Sequence, residues 1–260
     1  MMQKENMLVT LNREIAKQIY EMRLSGNLVE EIRAPGQFVH LQPGYHCGTL
    51  LRRPFSIASV DEAQRELTLI YRAEGAGTKK MAEIPVGADV DVLGPLGNGF
   101  PLDACKPSEK ALLVGGGVGV APLFELSKQL KRKGVKVTHV FGFSDKSVMY
   151  YEEAFRTLGP TYLATVDGSA GTKGFVTDLI QSIEPEYDAM FACGPMPMLR
   201  ALETYAEDKP VYLSLEERMG CGIGACYACV LHTADDPDGA SYRKVCTDGP
   251  VFKVGEVVLG

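Results

Sequence analysis

The 260-residue chain has 45% hydrophobic residues, 23% charged residues and a formal net charge of -6, the make-up of a globular protein with room for two compact domains and an appendage. No run of about 18 apolar residues is present to span a bilayer, and an acidic balance without a long basic run argues against nucleic acid as the main partner. The opening stretch, MMQKENMLVTLNREIAKQIY, has neither the apolar block nor the cleavage site of a signal peptide, so a cytoplasmic location is expected, with the seven cysteines as thiols or metal ligands.

Residues 1–104 contain the alternating stretches MLVTLN, IYEMRLSG, RELTLIYRA and ADVDVLGPLG, punctuated by Gly, Pro and Asn. Period-two alternation with frequent turns and no long helical stripe predicts an all-β barrel or sandwich. At the end of one barrel segment, LLRRPFSIAS places Arg53, Pro54, Phe55 and Ser56 together. The guanidinium suits a phosphate, the ring can pack beside a flat ligand and the hydroxyl can hydrogen-bond to it. By themselves these four residues are equally well read as a turn. The polar segment DACKPSEK, residues 103–110, marks a boundary at 104/105.

From residue 111 the rhythm becomes strand, loop, helix. ALLV predicts a buried strand and GGGVGV a glycine loop. APLFELSKQLKRKG predicts a helix with Pro122 in its first turn, Leu123, Leu126 and Leu130 on one face, and Gly134 as its stop. VKVTHVFGF, TYLATVDG and DAMFACG continue as strands and YYEEAFRTLG, FVTDLIQSI and PMLRALETYAED as helices, giving a parallel α/β domain over 105–212. A strand, glycine loop and helix start bring backbone N–H groups and the helix dipole to a pyrophosphate. Gly115, Gly116, Gly117 and Gly119 supply the loop, although Val120 stands where a G-x-G-x-x-G fingerprint has its third glycine.

The last 48 residues, 213–260, hold four of the seven cysteines and little aliphatic sequence, so they must be organised by what those cysteines bind. Four residues separate Cys221 from Cys226, two separate Cys226 from Cys229, and sixteen precede Cys246. VLHT, the turn-rich ADDPDGA and SYRKV form a hairpin that returns Cys246 to the other three. Structural zinc usually takes two separated C-x2-C pairs, whereas this spacing is the plant-type [2Fe-2S] pattern. Gly220, Gly222 and Gly224 offer the positive φ angles and sulfur-directed N–H groups that a wrapping loop needs.

These motifs together resemble the ferredoxin reductase superfamily. Its flavin signature R-x-[YF]-[ST] is matched at Arg53–Ser56, and LIYRAEGAGTKKM resembles the segment that lines the flavin with Ile70, Tyr71 and Arg72 and cradles its pyrophosphate at Gly77 and Thr78. GVGVAP, with Ala121 and Pro122, resembles the nicotinamide domain, and CGPMPM its C-G-P-x-x-M motif, which implies that Cys193, Gly194, Pro195 and Met196 lie by the nicotinamide. On its own Cys193 would be a buried structural thiol. After the second strand of that domain, Asp145 of GFSDKS would repel a 2′-phosphate and accept a hydrogen bond from a free 2′-hydroxyl, which favours NAD.

Nearly the whole chain is similar to the electron-transfer subunits of NAD-dependent (class B) dihydroorotate dehydrogenase, which share the shortened gap to the fourth cysteine. The resemblance implies a ferredoxin-reductase-like FAD barrel (1–104), a Rossmann-like NAD domain (105–212) and a small [2Fe-2S] domain (213–260). It also implies an FMN-containing catalytic partner that oxidises dihydroorotate, two of each chain, in pyrimidine biosynthesis. Electrons would pass from that FMN through the cluster and FAD to NAD+, leaving the isolated chain with NADH-dependent diaphorase activity. Two other readings use the same motifs: an electron-transfer subunit of a hydrogenase or bifurcating transhydrogenase, and a zinc-stapled nucleotide sensor without redox work. His40, His46, His139 and His232 show no ligand spacing and read as surface or satisfied core groups; Cys47 and Cys105 read as plain cysteines.

Overall fold

The structure, a computed structural model, describes residues 2–43 and 50–259; His46 and Cys47 lie outside the described residues. The first third contains β1 (Gln3–Ala16), β2 (Ile19–Ser25), β3 (Phe38–Leu41), β4 (Arg53–Asp61), β5 (Glu66–Arg72), α1 (Ala76–Ala82) and β6 (Asp89–Leu96). The six strands close into an antiparallel barrel in the order β1-β2-β5-β4-β3-β6. Period-two alternation puts Met7 and Val9, Met22 and Leu24, Val39 and Leu41, and Leu67 and Leu69 inside, all fully buried. This third is not purely β, because α1 interrupts it between β5 and β6. The signature RPFS is itself strand, the start of β4.

The α/β part contains β7 (Lys110–Gly116), α2 (Ala121–Arg132), β8 (Lys136–Phe143), α3 (Glu152–Arg156), β9 (Thr161–Thr165), β10 (Thr172–Lys173), α4 (Val176–Ile183), β11 (Ala189–Cys193), α5 (Met196–Glu203) and β12 (Val211–Ser214). The final segment adds β13 (Val230–His232), β14 (Tyr242–Lys244) and β15 (Val251–Lys253). The large sheet runs β10-β9-β8-β7-β11-β12-β15. Its parallel strands therefore wind outward from β7 in both directions, and the order reverses between β7 and β11. Loops leaving the C-terminal ends of those two strands diverge and open a crevice. β12 spans the expected boundary at 212/213, and β15 returns to pair antiparallel with it. No helix among the described residues is long and apolar enough to cross a membrane.

Leu123, Leu126 and Leu130 of α2 are fully buried, and Gly134 (φ +79) follows its end. The same helix fastens the barrel. Glu125, only 2% exposed, accepts hydrogen bonds from the backbone N–H of Val60 (3.0 Å), from Lys128 Nζ (2.8 Å) and from Gln129 Nε2 (3.0 Å). Lys128 Nζ also donates to Ser59 Oγ at 2.9 Å. Replacing Glu125 by Ala leaves the half-buried Val60 amide without its acceptor and Lys128 without its anionic partner. Urea denaturation should show a loss of roughly 3 kcal/mol; a loss under about 1 kcal/mol would mean that the contact behaves as a surface pair.

Candidate functional site

At the switch point the two nicotinamide motifs meet backbone to backbone. A Cβ on Gly119 would lie 2.5 Å from the carbonyl oxygen of Cys193, so only glycine permits this approach. The Tyr150 hydroxyl is shared between the carbonyls of Gly117 (3.2 Å) and Val118 (3.1 Å), which fixes the path of the loop. A cavity of about 580 Å³ opens beside it, lined by Gly116, Gly117 and Ser144 at the C-terminal ends of β7 and β8 and by Pro195, Pro197 and Met198 around the start of α5. Gly115 and Cys193 are buried beneath it, while Ala121 and Pro122 face the neighbouring cavity instead. Gly194 and Met196 are half-buried and form no part of the lining. The Cys193 thiol is pushed well up by burial, so it stays protonated.

Phe175, 62% exposed, and Val166, 48% exposed, also line this cavity. Neither belongs to a motif, and an exposed apolar pair is recognisable only once the fold places both residues on one rim. Asp145 stands after β8, as expected. Its carboxylate accepts from Ser147 Oγ (2.5 Å), Ser147 N (2.8 Å) and Ser144 Oγ (2.9 Å), and these bonds, led by that from the Ser147 hydroxyl, hold its pKa below the ordinary carboxylate value. Ser144 reaches the cavity lining and Asp145 does not.

A second cavity, of about 290 Å³, lies where the barrel, the α/β sheet and the final segment meet. It collects Pro54, Phe55, Ser56, Ile70, Tyr71 and Arg72, six of the nine residues expected at a flavin. Arg72 lines both cavities, and its buried Nε has no hydrogen-bond partner among the described residues. Its Nη1 pairs with Glu74 at 2.8 Å. An orphaned guanidinium N–H between two ligand cavities fits an anionic or carbonyl group there. Arg53 and Gly77 lie together at the edge, where a Cβ on Gly77 would come within 3.1 Å of Arg53 Nε. Thr78 Oγ1 accepts from Gly75 N (3.0 Å) and closes the first turn of α1. Ser214 at the end of β12 and Glu216 just beyond it complete the cavity, outside every motif; burial raises the Glu216 carboxyl above its ordinary pKa.

The thiol loop follows directly. Gly222 (φ +73), Gly224 (φ +82) and Tyr227 (φ +59) take left-handed backbone. Gly220 does not, and it packs instead against Cys226, whose sulfur would lie 3.2 Å from a Cβ there. The Sγ of Cys221 accepts from Ile223 N (3.4 Å) and Ala225 N (3.3 Å), and that of Cys226 from Cys221 N (3.4 Å). The backbone N–H groups of Ala228 and Cys221 and the Cys221 thiol lower the Cys226 pKa to about 7, whereas burial and neighbouring Cys229 push Cys246 up to about 11. The β13–β14 hairpin forms as expected, and Val245 N donates to the Cys229 carbonyl (2.9 Å), which carries Cys246 back to Cys229. Asn98 of the barrel holds the turn after Cys246 through the carbonyls of Thr247 (2.9 Å) and Asp248 (3.1 Å).

Thus Cys221 contacts Cys226, and Cys229 contacts Cys246. Among the described residues no three His, Cys, Asp or Glu side chains close around one point as a single metal ion requires. Two thiol pairs, one already supplied with N–H donors to sulfur, fit a centre in which each of two irons takes two thiolates.

The family profile described as the iron-sulfur cluster binding domain of dihydroorotate dehydrogenase B matches residues 216–258, and that of the oxidoreductase NAD-binding domain matches residues 113–204. The chain is 58% identical over 259 residues to the dihydroorotate dehydrogenase B (NAD(+)) electron transfer subunit of Bacillus cereus (strain B4264), covering 100% of both chains, and matches that of Bacillus anthracis (strain CDC 684 / NRRL 3495) to the same extent. Among solved structures, an NADH-dependent reduced ferredoxin-NADP oxidoreductase studied for flavin-based electron bifurcation superposes with a TM-score of 0.86 at 28% identity, over 98% of this chain and 90% of that one. The ferredoxin-NADP+ reductase from Plasmodium falciparum shares the fold, with a TM-score of 0.64 at 14% identity, over 78% of this chain and 91% of the other. With its glycine crevice, flavin-type cavity and paired thiols joined in one unit, the chain belongs to the family of electron-transfer subunits of NAD-dependent dihydroorotate dehydrogenase B.

Proposed function

We propose that this chain passes electrons, taken from dihydroorotate by an FMN-containing catalytic partner, through a [2Fe-2S] centre and FAD to NAD+, in an assembly of two copies of each chain in the cytoplasm. The carrying observation is that one segment, Ser214–Met219, lines the flavin-type cavity and runs directly into the thiol loop. Bound FAD exchanges a hydride with nicotinamide and single electrons with the cluster.

The residues divide the remaining work. Arg53 and the Gly77–Thr78 turn hold the flavin's phosphates, and Phe55, Ser56, Ile70 and Tyr71 wall its ring. Arg72 stands between flavin and nicotinamide cavities. Gly116, Gly117, Gly119 and Pro195 shape the NAD crevice, with Cys193 and Gly194 beneath them. Cys221, Cys226, Cys229 and Cys246 ligate the cluster, the partly exposed first pair facing outward. The structural likeness to a bifurcating oxidoreductase keeps a related electron-transfer role as the second reading, and co-purification of the native chain followed by assay with dihydroorotate separates the two. A colourless, zinc-containing preparation would instead favour a nucleotide sensor.

Arg53→Ala removes a charge-assisted contact, so FAD retention after gel filtration should weaken by about tenfold or more, with iron content unchanged; equal loss of flavin and iron would contradict the assignment. Steady-state comparison should give NADH a kcat/KM at least about tenfold above that of NADPH, because a 2′-phosphate beside Asp145 meets like charge; the reverse order would remove Asp145 from that role. In Cys226→Ser the cluster should be lost or destabilised, while NADH-driven reduction of a dye that accepts from flavin largely survives. Dihydroorotate-to-NAD+ transfer should fail in a complex shown intact by gel filtration. Coupling at the parent rate in an assembled, iron-free variant would reduce the cysteines to a structural staple.

A further inference from the structure

Two of the histidines set aside by spacing behave as expected. His232 is exposed, and His139 is a satisfied core group, with Nε2 2.8 Å from Ser127 Oγ and Nδ1 3.0 Å from Thr161 Oγ1. His40 does not. It is 0% exposed, and neither ring nitrogen has a hydrogen-bond partner among the described residues. Buried donors without acceptors are rare enough that each needs a physical account.

Strand alternation supplies the direction. Val39 and Leu41 of β3 point into the barrel, so Phe38 and His40 point out of it. Phe38 enters the apolar cluster that also contains Leu96, Cys229 and Cys246. The His40 ring meets the thiol loop: a Cβ on Gly222 would lie 2.8 Å from both Cε1 and Nδ1. Gly222 immediately follows Cys221, whose sulfur already accepts two backbone N–H groups. Burial, with Arg52 and Arg53 nearby, pushes the imidazole pKa down to about 4, so at neutral pH the ring keeps one N–H and one bare nitrogen. His40 thus places a ring N–H that has no partner among the described residues on the barrel wall, directly behind the loop that carries Cys221.

We propose that His40 is a positioning residue of the iron-sulfur centre: it seats the Gly222 turn from the flavin barrel and donates its ring N–H to a sulfur of the centre held by that loop. The inference rests on the reading that Cys221, Cys226, Cys229 and Cys246 hold a [2Fe-2S] cluster. A hydrogen bond to sulfur favours the reduced, more negative state and so raises the reduction potential. It also explains why residue 222 must lack a side chain, since Gly222→Ala would meet both the left-handed backbone and the ring.

The test uses the complex purified with its catalytic partner, as wild type, His40→Leu and His40→Gln, with iron and sulfide assayed and the cluster titrated under electron paramagnetic resonance. In His40→Leu the ratio of reduced to oxidised cluster at a fixed solution potential should fall about tenfold, a shift of about 59 mV for a one-electron couple. His40→Gln keeps an N–H donor and should shift less, and the FAD potential should stay put in both. Wild-type protein labelled with [15N]histidine should show a weak nitrogen coupling to the reduced cluster in pulsed spectra, and His40→Gln should abolish it. An iron-replete His40→Leu variant at the parent potential overturns the proposal, as does absence of that coupling or its persistence in His40→Gln. If His40→Leu loses iron, the wild-type coupling and its loss in His40→Gln decide the matter. Wild type without iron overturns the cluster reading itself, whereas iron without any histidine effect overturns only the role of His40.

Discussion

The architecture depends on one shared apolar interior. Phe38 and Leu96 leave the outer wall of the barrel, Val140 and Leu199 come from the α/β layer, and Val245, Cys246 and Phe252 come from the final segment, and all are buried in a single cluster. A segment of fewer than fifty residues with few aliphatic side chains buries too little of its own surface to offset the entropy of ordering. Here it borrows its interior from its neighbours. Its β15 pairs with β12, which makes the α/β sheet its scaffold, and Asn98 of the barrel ties down its last turn. The thiol loop is therefore held from two sides by elements that fold on their own patterns.

That sharing also brings the two cavities and the thiol loop together. The flavin-type cavity is not inside the barrel, whose interior is filled by Met7, Val9, Met22, Leu24 and their neighbours. It lies on the barrel's outer face, where β4 and β5 meet α2 and the segment after β12. Arg72 at the end of β5 reaches from this cavity to the glycine crevice, and Glu125 of α2 locks β4 against the α/β unit. The same contacts that stabilise the domain interface thus fix the relative positions of the cofactor walls, so a shift of α2 would move both cavities together.

Several local rules are broken beside the two cavities and the thiol loop. Gly119 is pressed against Cys193, Tyr227 adopts left-handed backbone, and His40 and Arg72 carry buried nitrogens without partners among the described residues. Each departure costs stability when judged by the chain alone. All four sit on the walls of the two cavities or the thiol loop or directly beneath them, which is where such costs are offset by binding.

Much of this was legible in the amino-acid sequence. Period-two alternation identified β1, β2, β5 and β6; the strand-glycine-helix rhythm identified the α/β unit; and the spacing of four cysteines with an intervening hairpin identified the thiol loop, because these signals are local and each follows from a short stretch of chain. The resemblance carried by RRPFSIAS, GAGT and CGPMPM pointed to the cofactors that the two cavities fit. Local patterns did not mark β3, whose residues are buried on both faces and so show no alternation, nor α1, a helix of under two full turns. Nor could they reveal that β15 rejoins the sheet, that Phe175 and Val166 share a rim, that Glu216 closes the flavin-type cavity, or that His40 stands behind Gly222. The sequence by itself determined which short segments curl, extend or gather sulfur, since those preferences act between near neighbours along the chain. Only the tertiary structure decided which outward-facing residues touch, because a histidine at position 40 and a glycine at position 222 become neighbours through burial of the surface between two domains, and no periodicity within either segment encodes that contact.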